Sequence, residues 1–168
     1  NLYRQTTPHA GFHQLLDLAR TKPAGHFVFT SNVDDQFQKA GFDPDRILEC
    51  HGSLLHLQCA TPCCREIWSA SSESVAVDEA AFRALPPLPR CLHCGGMARP
   101  NVLMFGDNAW LDARSHVQET QFQSWLQQLG ASGARLTLLE FGAGTGVPTV
   151  RLTSESVATG FDARLIRF

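Results

Sequence analysis

The chain has 168 residues, 43% of them hydrophobic and 18% charged, which suits a globular core of one domain, or of one domain plus a small insertion. Its formal net charge of -2 lacks the surplus of Lys and Arg that non-specific binding to a nucleic-acid backbone requires. No apolar run approaches the roughly 20 residues of a membrane span. The start lacks the basic-then-apolar order of a signal peptide.

The opening NLYRQTTPHAGF has no initiator Met, and the closing ARLIRF stops inside a strand pattern. Both are expected to be interior stretches of a longer protein. Leu15, Leu16, Leu18 and Ala19 recur at helical spacing, and Pro23-Ala24-Gly25 stops that helix. HFVFT (26–30) reads as a short buried strand. SNVDDQF follows, where Asp34 or Asp35 can cap a short helix ending at Gly41. RILEC (46–50) reads as a second strand, with Cys50 as a buried small hydrophobe. This order of helix, strand, helix, strand is an α/β rhythm.

Residues 59–99 lose that periodicity and fill with Cys, Pro and small polar residues, so they need an outside source of order. From Val102 the run VLMF resumes the strand pattern. HVQETQFQSWLQQLG (116–130) predicts an amphipathic helix with Val117, Phe122, Trp125, Leu126 and Leu129 on one side. ARLTLLEF, the turn GAGTGV, PTVRLTSESVATG and ARLIRF then predict a strand–turn–helix–strand unit.

Clustered cysteines favour metal over disulfides, and a reducing, cytoplasmic setting. Cys91-x-x-Cys94 forms a thiolate knuckle, with Gly95-Gly96 allowing the tight backbone beyond it, and Cys59-x-x-x-Cys63 supplies the other half. Cys64 competes with Cys63, and His56 or His93 could replace a cysteine. Four sulfurs would close the coordination sphere of a structural zinc ion and leave no position for a reactive water. Unligated buried thiols or a redox pair are the plainer alternatives.

Three other features admit both a functional and a plain reading. Gly142, Gly144, Thr145 and Gly146 lie between a strand and a helix, where backbone N–H groups can approach a phosphate. They match neither GxGxxG nor a P-loop, and such turns are also mere connections. Thr30, Asn32 and Asp34 lie beyond a strand's C-terminal end, where open α/β sheets bind ligands, although Asp34 can equally serve as a cap. ECHG (49–52) repeats that placement, so His51 is expected to share a crevice with Asn32 and Asp34, or else to be a satisfied structural histidine.

In chain order, TSNVD (30–34), HGSLLHLQC (51–59), the paired cysteines, RPNVLMFGD (99–107) and GAGTGVPTVR (142–151) together resemble the sirtuin (Sir2) family of NAD-dependent protein deacylases. The resemblance spans nearly the whole chain and points to a divergent, bacterial branch. It implies an α/β fold: a Rossmann-like parallel sheet flanked by helices, of the deoxyhypusine-synthase-like NAD-binding type. Residues 1–58 and 100–168 would form that domain, with 59–99 inserted as a zinc-binding module.

The family's activity is removal of acyl groups from protein lysines, giving nicotinamide and O-acyl-ADP-ribose. By motif match His51 would be the general base. Asn32 would lie against the nicotinamide ribose, and Asp34 would contact the carboxamide. Thr30 and Ser31 would line the same pocket. Gly142, Gly144, Thr145 and Gly146 would hold NAD phosphates or ribose. Val102, Leu103 and Gly106 would bind the backbone of an acyl-lysine peptide, with Phe105 lining the acyl-lysine tunnel. Cys59, Cys63, Cys91 and Cys94 would hold the zinc.

Departures from the family pattern are Ser31 for Gln, Gly146 for Ser, Asp107 for Glu, and three residues rather than two inside the first cysteine pair. The opening glycine-rich NAD loop, with its Arg, and the Asn after the last strand are not in the chain. NAD hydrolysis or ADP-ribosyl transfer in the same pocket is the rival activity. A catalytically incomplete, zinc-stabilised binding module is the non-enzymatic one.

Overall fold

The computed structural model describes residues 5–70 and 75–168. The first residues, which bear on whether the chain starts inside a longer protein, lie outside that range, as does part of the cysteine-bearing insertion.

Helix α1 (Ala10–Arg20) starts at His9, whose side chain accepts from the Gly11 N–H, and stops before Pro23. It buries Leu16 but leaves Leu18 44% exposed, so the apolar face runs through Phe12, Leu15 and Leu16 rather than through Leu18. Strand β1 (Val28–Thr30), the one-turn helix α2 (Gln36–Lys39) and strand β2 (Ile47–Glu49) follow. β1 and β2 pair in parallel, with Thr30 opposite Glu49.

Successive β2 side chains point to opposite faces, and this two-residue period builds two cores. Ile47 packs with Leu16, Ala40 and Phe42 on the α1 side. Leu48 packs with Phe122, Trp125, Leu126 and Leu129 of α3 (Ala113–Ser132) on the other. Each is essentially fully buried, a placement that typically contributes about 1.5–3 kcal/mol per side chain.

Helix α3 is longer than its apolar pattern predicted, and Val117 is 58% exposed, off the buried face. Ser115 and Gln118 occupy that face instead, because the free edge of β2 needs hydrogen-bond partners. The Gln118 Oε1 accepts from the Glu49 N–H at 3.1 Å, and the Ser115 hydroxyl donates to the Glu49 carbonyl at 3.0 Å.

Strand β3 (Gly52–Cys59) is the longest strand and the centre of an antiparallel sheet, flanked by β4 (Ile67–Ser69) and β7 (Ala98–Val102). A small hairpin of β5 (Val77–Asp78) and β6 (Arg83–Ala84) lies between them in sequence. The insertion thus contains short strands that its composition did not announce. The strand expected to begin at Val102 instead ends there, because Leu103 to Phe105 leave the sheet.

Strand β8 (Thr137–Glu140), helix α4 (Thr149–Gly160) and strand β9 (Arg164–Arg167) form the expected parallel unit. Val157 and Phe161 pack against the α3 core. Among the described residues the parallel strands form two separate pairs, β1–β2 and β8–β9, rather than one hydrogen-bonded sheet. Helix α3 packs against Phe29 and Leu48 of the first pair, and against Leu136, Val157 and Phe161 from beside the second. No described helix is long and apolar enough to cross a membrane.

Candidate functional site

The crevice begins where β1 and β2 end. Backbone bonds tie the two C-terminal ends together: Cys50 N–H donates to the Thr30 carbonyl at 3.0 Å, and Leu54 N–H to the Val33 carbonyl at 2.9 Å. His51, between those two donors, is therefore fixed beside the loop that carries Ser31, Asn32 and Asp34. Thr30 is buried, and its hydroxyl accepts from the Asn32 N–H at 3.0 Å, which turns the chain at the strand end. Asn32 is exposed. The Asp34 Oδ1 accepts from the Gln36 N–H at 3.3 Å, one residue before the N-cap of α2, Asp35, which itself makes no side-chain cap bond.

Gly52 is what lets His51 sit there. Its φ is 81°, and a Cβ would lie 2.0 Å from the Asn101 carbonyl oxygen. No other residue permits β3 to approach β7 so closely. Asp35 takes φ 63° without being glycine. Burial, then the nearby Glu49 carboxylate, push its carboxyl up to about 6. The Glu49 carboxylate is itself buried and ion-paired with Arg114.

The glycine turn lies at the end of β8. Gly142 has φ 64° and donates to the Phe168 carbonyl, while Gly144 and Gly146 have nothing within 4 Å of a Cβ position. Thr145 is exposed beside them. Pro148 precedes α4 and supplies no side-chain cap, so the first N–H groups of that helix have no side-chain partner from the N-cap. The fold holds the turn rigidly from behind. Glu140 is buried against Arg167 and Ser154, and the Arg167 guanidinium keeps its carboxyl below the usual range.

Val102 pairs with Gly52 in the β3–β7 ladder, and the Leu103 N–H donates to the His51 carbonyl at 3.0 Å. The chain then leaves the sheet through Leu103, Met104 and Phe105 and turns at Gly106, whose φ is 68°. Phe105 is 92% exposed, so it projects from this turn rather than lining an enclosed tunnel.

Side chains that sequence reasoning passed over hold the turn in place. Asn101 and Gln58 are fully buried and hydrogen-bonded to each other at 2.8 Å. Gln58 also donates to the Ala109 carbonyl at 2.7 Å and accepts from the Leu111 N–H at 3.0 Å. Arg99 pairs with Asp107 at 2.7 Å, which keeps the Asp107 carboxyl below its ordinary value. An amide at an inward strand position was the available signal, since buried polar groups imply partners.

The cysteine cluster assembles as a tetrad. The ligand atoms of Cys59, Cys63, Cys91 and Cys94 all lie within 4.8 Å of one another. Cys59 Sγ is 3.7 Å from Cys94 Sγ, and Cys63 Sγ is 3.6 Å from Cys91 Sγ. Zinc–sulfur bonds of about 2.3 Å in a tetrahedron require sulfurs about 3.8 Å apart, so the donor set fits a structural zinc ion. Backbone N–H groups of Cys94 and then His93 point at Cys91 and lower its thiol to about 6, which favours the thiolate. Cys63, not Cys64, completes the set. Cys50 is half-buried, and burial pushes its thiol up to about 11. His93 pairs with Glu66 instead of joining the sulfurs, and His56 stands outside them.

Residues 1–135 match the model of the Sir2 family. The NAD-dependent protein deacylase 2 of Pseudomonas aeruginosa is 36% identical over 98 residues, covering 58% of this chain and 34% of the relative. The NAD-dependent protein deacylase of Aquifex aeolicus is 29% identical over 119 residues, covering 70% of this chain and 44% of the relative. The chain thus spans less than half the length of these two curated relatives.

A solved Sir2 homologue in complex with ADP-ribose superposes with a TM-score of 0.65 at 21% identity, covering 97% of this chain and 55% of that one. A Sir2 structure holding 2′-O-acetyl-ADP-ribose and a deacetylated peptide gives 0.60 at 21% identity, covering 99% and 61%. These two establish a shared fold. The strand-end histidine, the thiolate tetrad and the family match over residues 1–135 lead to one conclusion: the chain belongs to the Sir2 family.

Proposed function

We propose that this chain carries the core of an NAD-dependent protein-lysine deacylase acting in the cytoplasm on acyl-lysine proteins or peptides. One observation carries the reading: the two backbone bonds to Thr30 and Val33 seat His51 against the loop bearing Asn32 and Asp34. In this reading residues 1–58 and 100–168 bind NAD and substrate, and residues 59–99 are a zinc-ordered module.

NAD enters as a substrate, with its phosphates and ribose against Gly142, Gly144, Thr145 and Gly146 and the first turn of α4. Its nicotinamide end reaches Thr30, Ser31, Asn32 and Asp34. The acyl-lysine backbone lies along Val102, Leu103 and Gly106, with Phe105 closing over the acyl-lysine once substrate supplies the missing wall. The amide oxygen of acyl-lysine attacks the ribose carbon and displaces nicotinamide. His51 then takes a proton from a ribose hydroxyl as general base, a role an imidazole nitrogen can fill. The zinc stays outside the chemistry, since four sulfurs leave it no open position.

In the full-length protein, His51→Ala should lower nicotinamide release with an acetyl-lysine peptide by about 10²-fold or more. Zinc stoichiometry should be unchanged. Retained activity would show that the base is elsewhere. Free ADP-ribose released without peptide would instead identify an NAD hydrolase.

A further inference from the structure

A cavity of about 380 Å³ lies between the cysteine-bearing segment and the start of α3, lined by His56, Arg65, Ile67, Ala113 and Arg114. It contains donors and no carboxylate. Arg114 spends one nitrogen on Glu49, while its Nη1 is buried with no partner. His56 is likewise left with a buried, unpartnered Nδ1, and even as a neutral ring it can donate one N–H. Arg65 is exposed and has no ion-pair or hydrogen-bond partner among the described residues. Ala113 opens a 20-residue helix whose N-cap, Asp112, makes no side-chain cap bond.

We propose that this cavity is an anion site for a phosphate-class oxyanion, distinct from the glycine turn at the end of β8. Two guanidinium forks, an imidazole N–H and a helix N-terminus converge from different elements. A group presenting several oxygens satisfies them better than a single acceptor does. No carboxylate lines the cavity, and of those around it Glu49 is ion-paired with Arg114 and Glu66 with His93, while Asp112 stands exposed at the helix N-cap. An oxyanion here would join Arg65, on the segment ordered by the thiolates, to helix α3, which carries the core behind His51. Occupancy would therefore stiffen one part of the molecule against the other. Free phosphate and the phosphoryl group of a small phosphomonoester present the same chemistry to these donors.

Titration of the zinc-loaded chain with inorganic phosphate, followed by ³¹P NMR and calorimetry at constant ionic strength, tests the assignment. Saturable binding is expected in wild type, and about tenfold weaker binding in Arg65→Gln, whose exposed side chain is not needed for folding. Glycerol phosphate in a parallel arm separates the sources: tighter binding than phosphate marks a phosphorylated small molecule, and weaker or equal binding marks the free ion. Absence of saturable binding overturns the proposal. So does binding that ADP-ribose displaces and Arg65→Gln leaves unchanged, because the anion then sits at the glycine turn.

Discussion

The β1–β2 crevice and the cysteine-bearing insertion reach order by different routes. Around β2 the chain supplies its own: Ile47 and Leu48 bury on opposite faces, and α3 side chains satisfy the Glu49 backbone. The insertion leaves Phe82 91%, Leu92 68% and Met97 57% exposed, so apolar burial contributes little there. Its buried sulfurs, Cys59 and Cys91, face the exposed Cys63 and Cys94 across a metal-sized gap. One region is folded by packing and the other by coordination. The strand-end edge can thus hold its shape by packing while the neighbouring insertion depends on an ion.

The largest expected effect breaks the coordinated half alone. Cys94 is exposed, so Cys94→Ser removes a ligand with little loss of packing. It should abolish zinc binding, which supplies on the order of 10 kcal/mol to ordering such sites. Hydrogen exchange should then show lost protection between Cys59 and Met97 while Ile47 to Glu49 stay protected. An insertion that remains protected without metal would be folded by packing, like the strands around β2.

A smaller effect is expected where the two regions meet. Gly52→Ala places a methyl group against the Asn101 carbonyl at a left-handed backbone position. It should destabilise the protein by about 3 kcal/mol in urea unfolding. Zinc content should be unaffected, because the tetrad lies at the far end of β3. A cost below 1 kcal/mol would mean that β3 and β7 can separate without harm, roughly the scale of ordinary surface changes.

The smallest effect sharpens the packed half. The Asp35 carboxyl is raised to about 6 by burial and by Glu49, above its ordinary value of 3.8. Its protonated form is therefore favoured by folding. That stability is fully present below the unfolded value and is lost as pH rises through about 6. Asp35→Asn keeps a side chain that tolerates positive φ and removes the charge. It should stabilise by about 1 kcal/mol at pH 7.5, allowing for solvent screening of a half-exposed group, and give no advantage at pH 4. Equal melting-temperature differences at both pH values would exclude the Asp35 charge as their source.

Local signals made much of this protein legible. The short spacing of Cys91 and Cys94 identified a knuckle, because two intervening residues set the sulfur geometry within one turn of chain. The strand–turn–helix–strand pattern of the last third held for the same reason: β8, α4 and β9 follow periodicities that neighbouring residues define. Chain order of several motifs carried the family resemblance. None of these depends on distant contacts.

Tertiary structure decided what distance hides. Cys63 and Cys64 are adjacent and chemically identical in sequence, and only the position of Cys91 across the cluster selects Cys63. Val117 fits the apolar pattern of α3, yet Ser115 and Gln118 take the buried face because β2 has an unpaired edge there. Asn101 and Gln58 look like surface amides until β3 and β7 pair and enclose them. Phe105 and Leu103 continue an apolar run, yet the sheet ends at Val102. In each case the residue's partner lies far along the chain, and a buried polar group or a metal takes its place from that partner rather than from its neighbours in sequence.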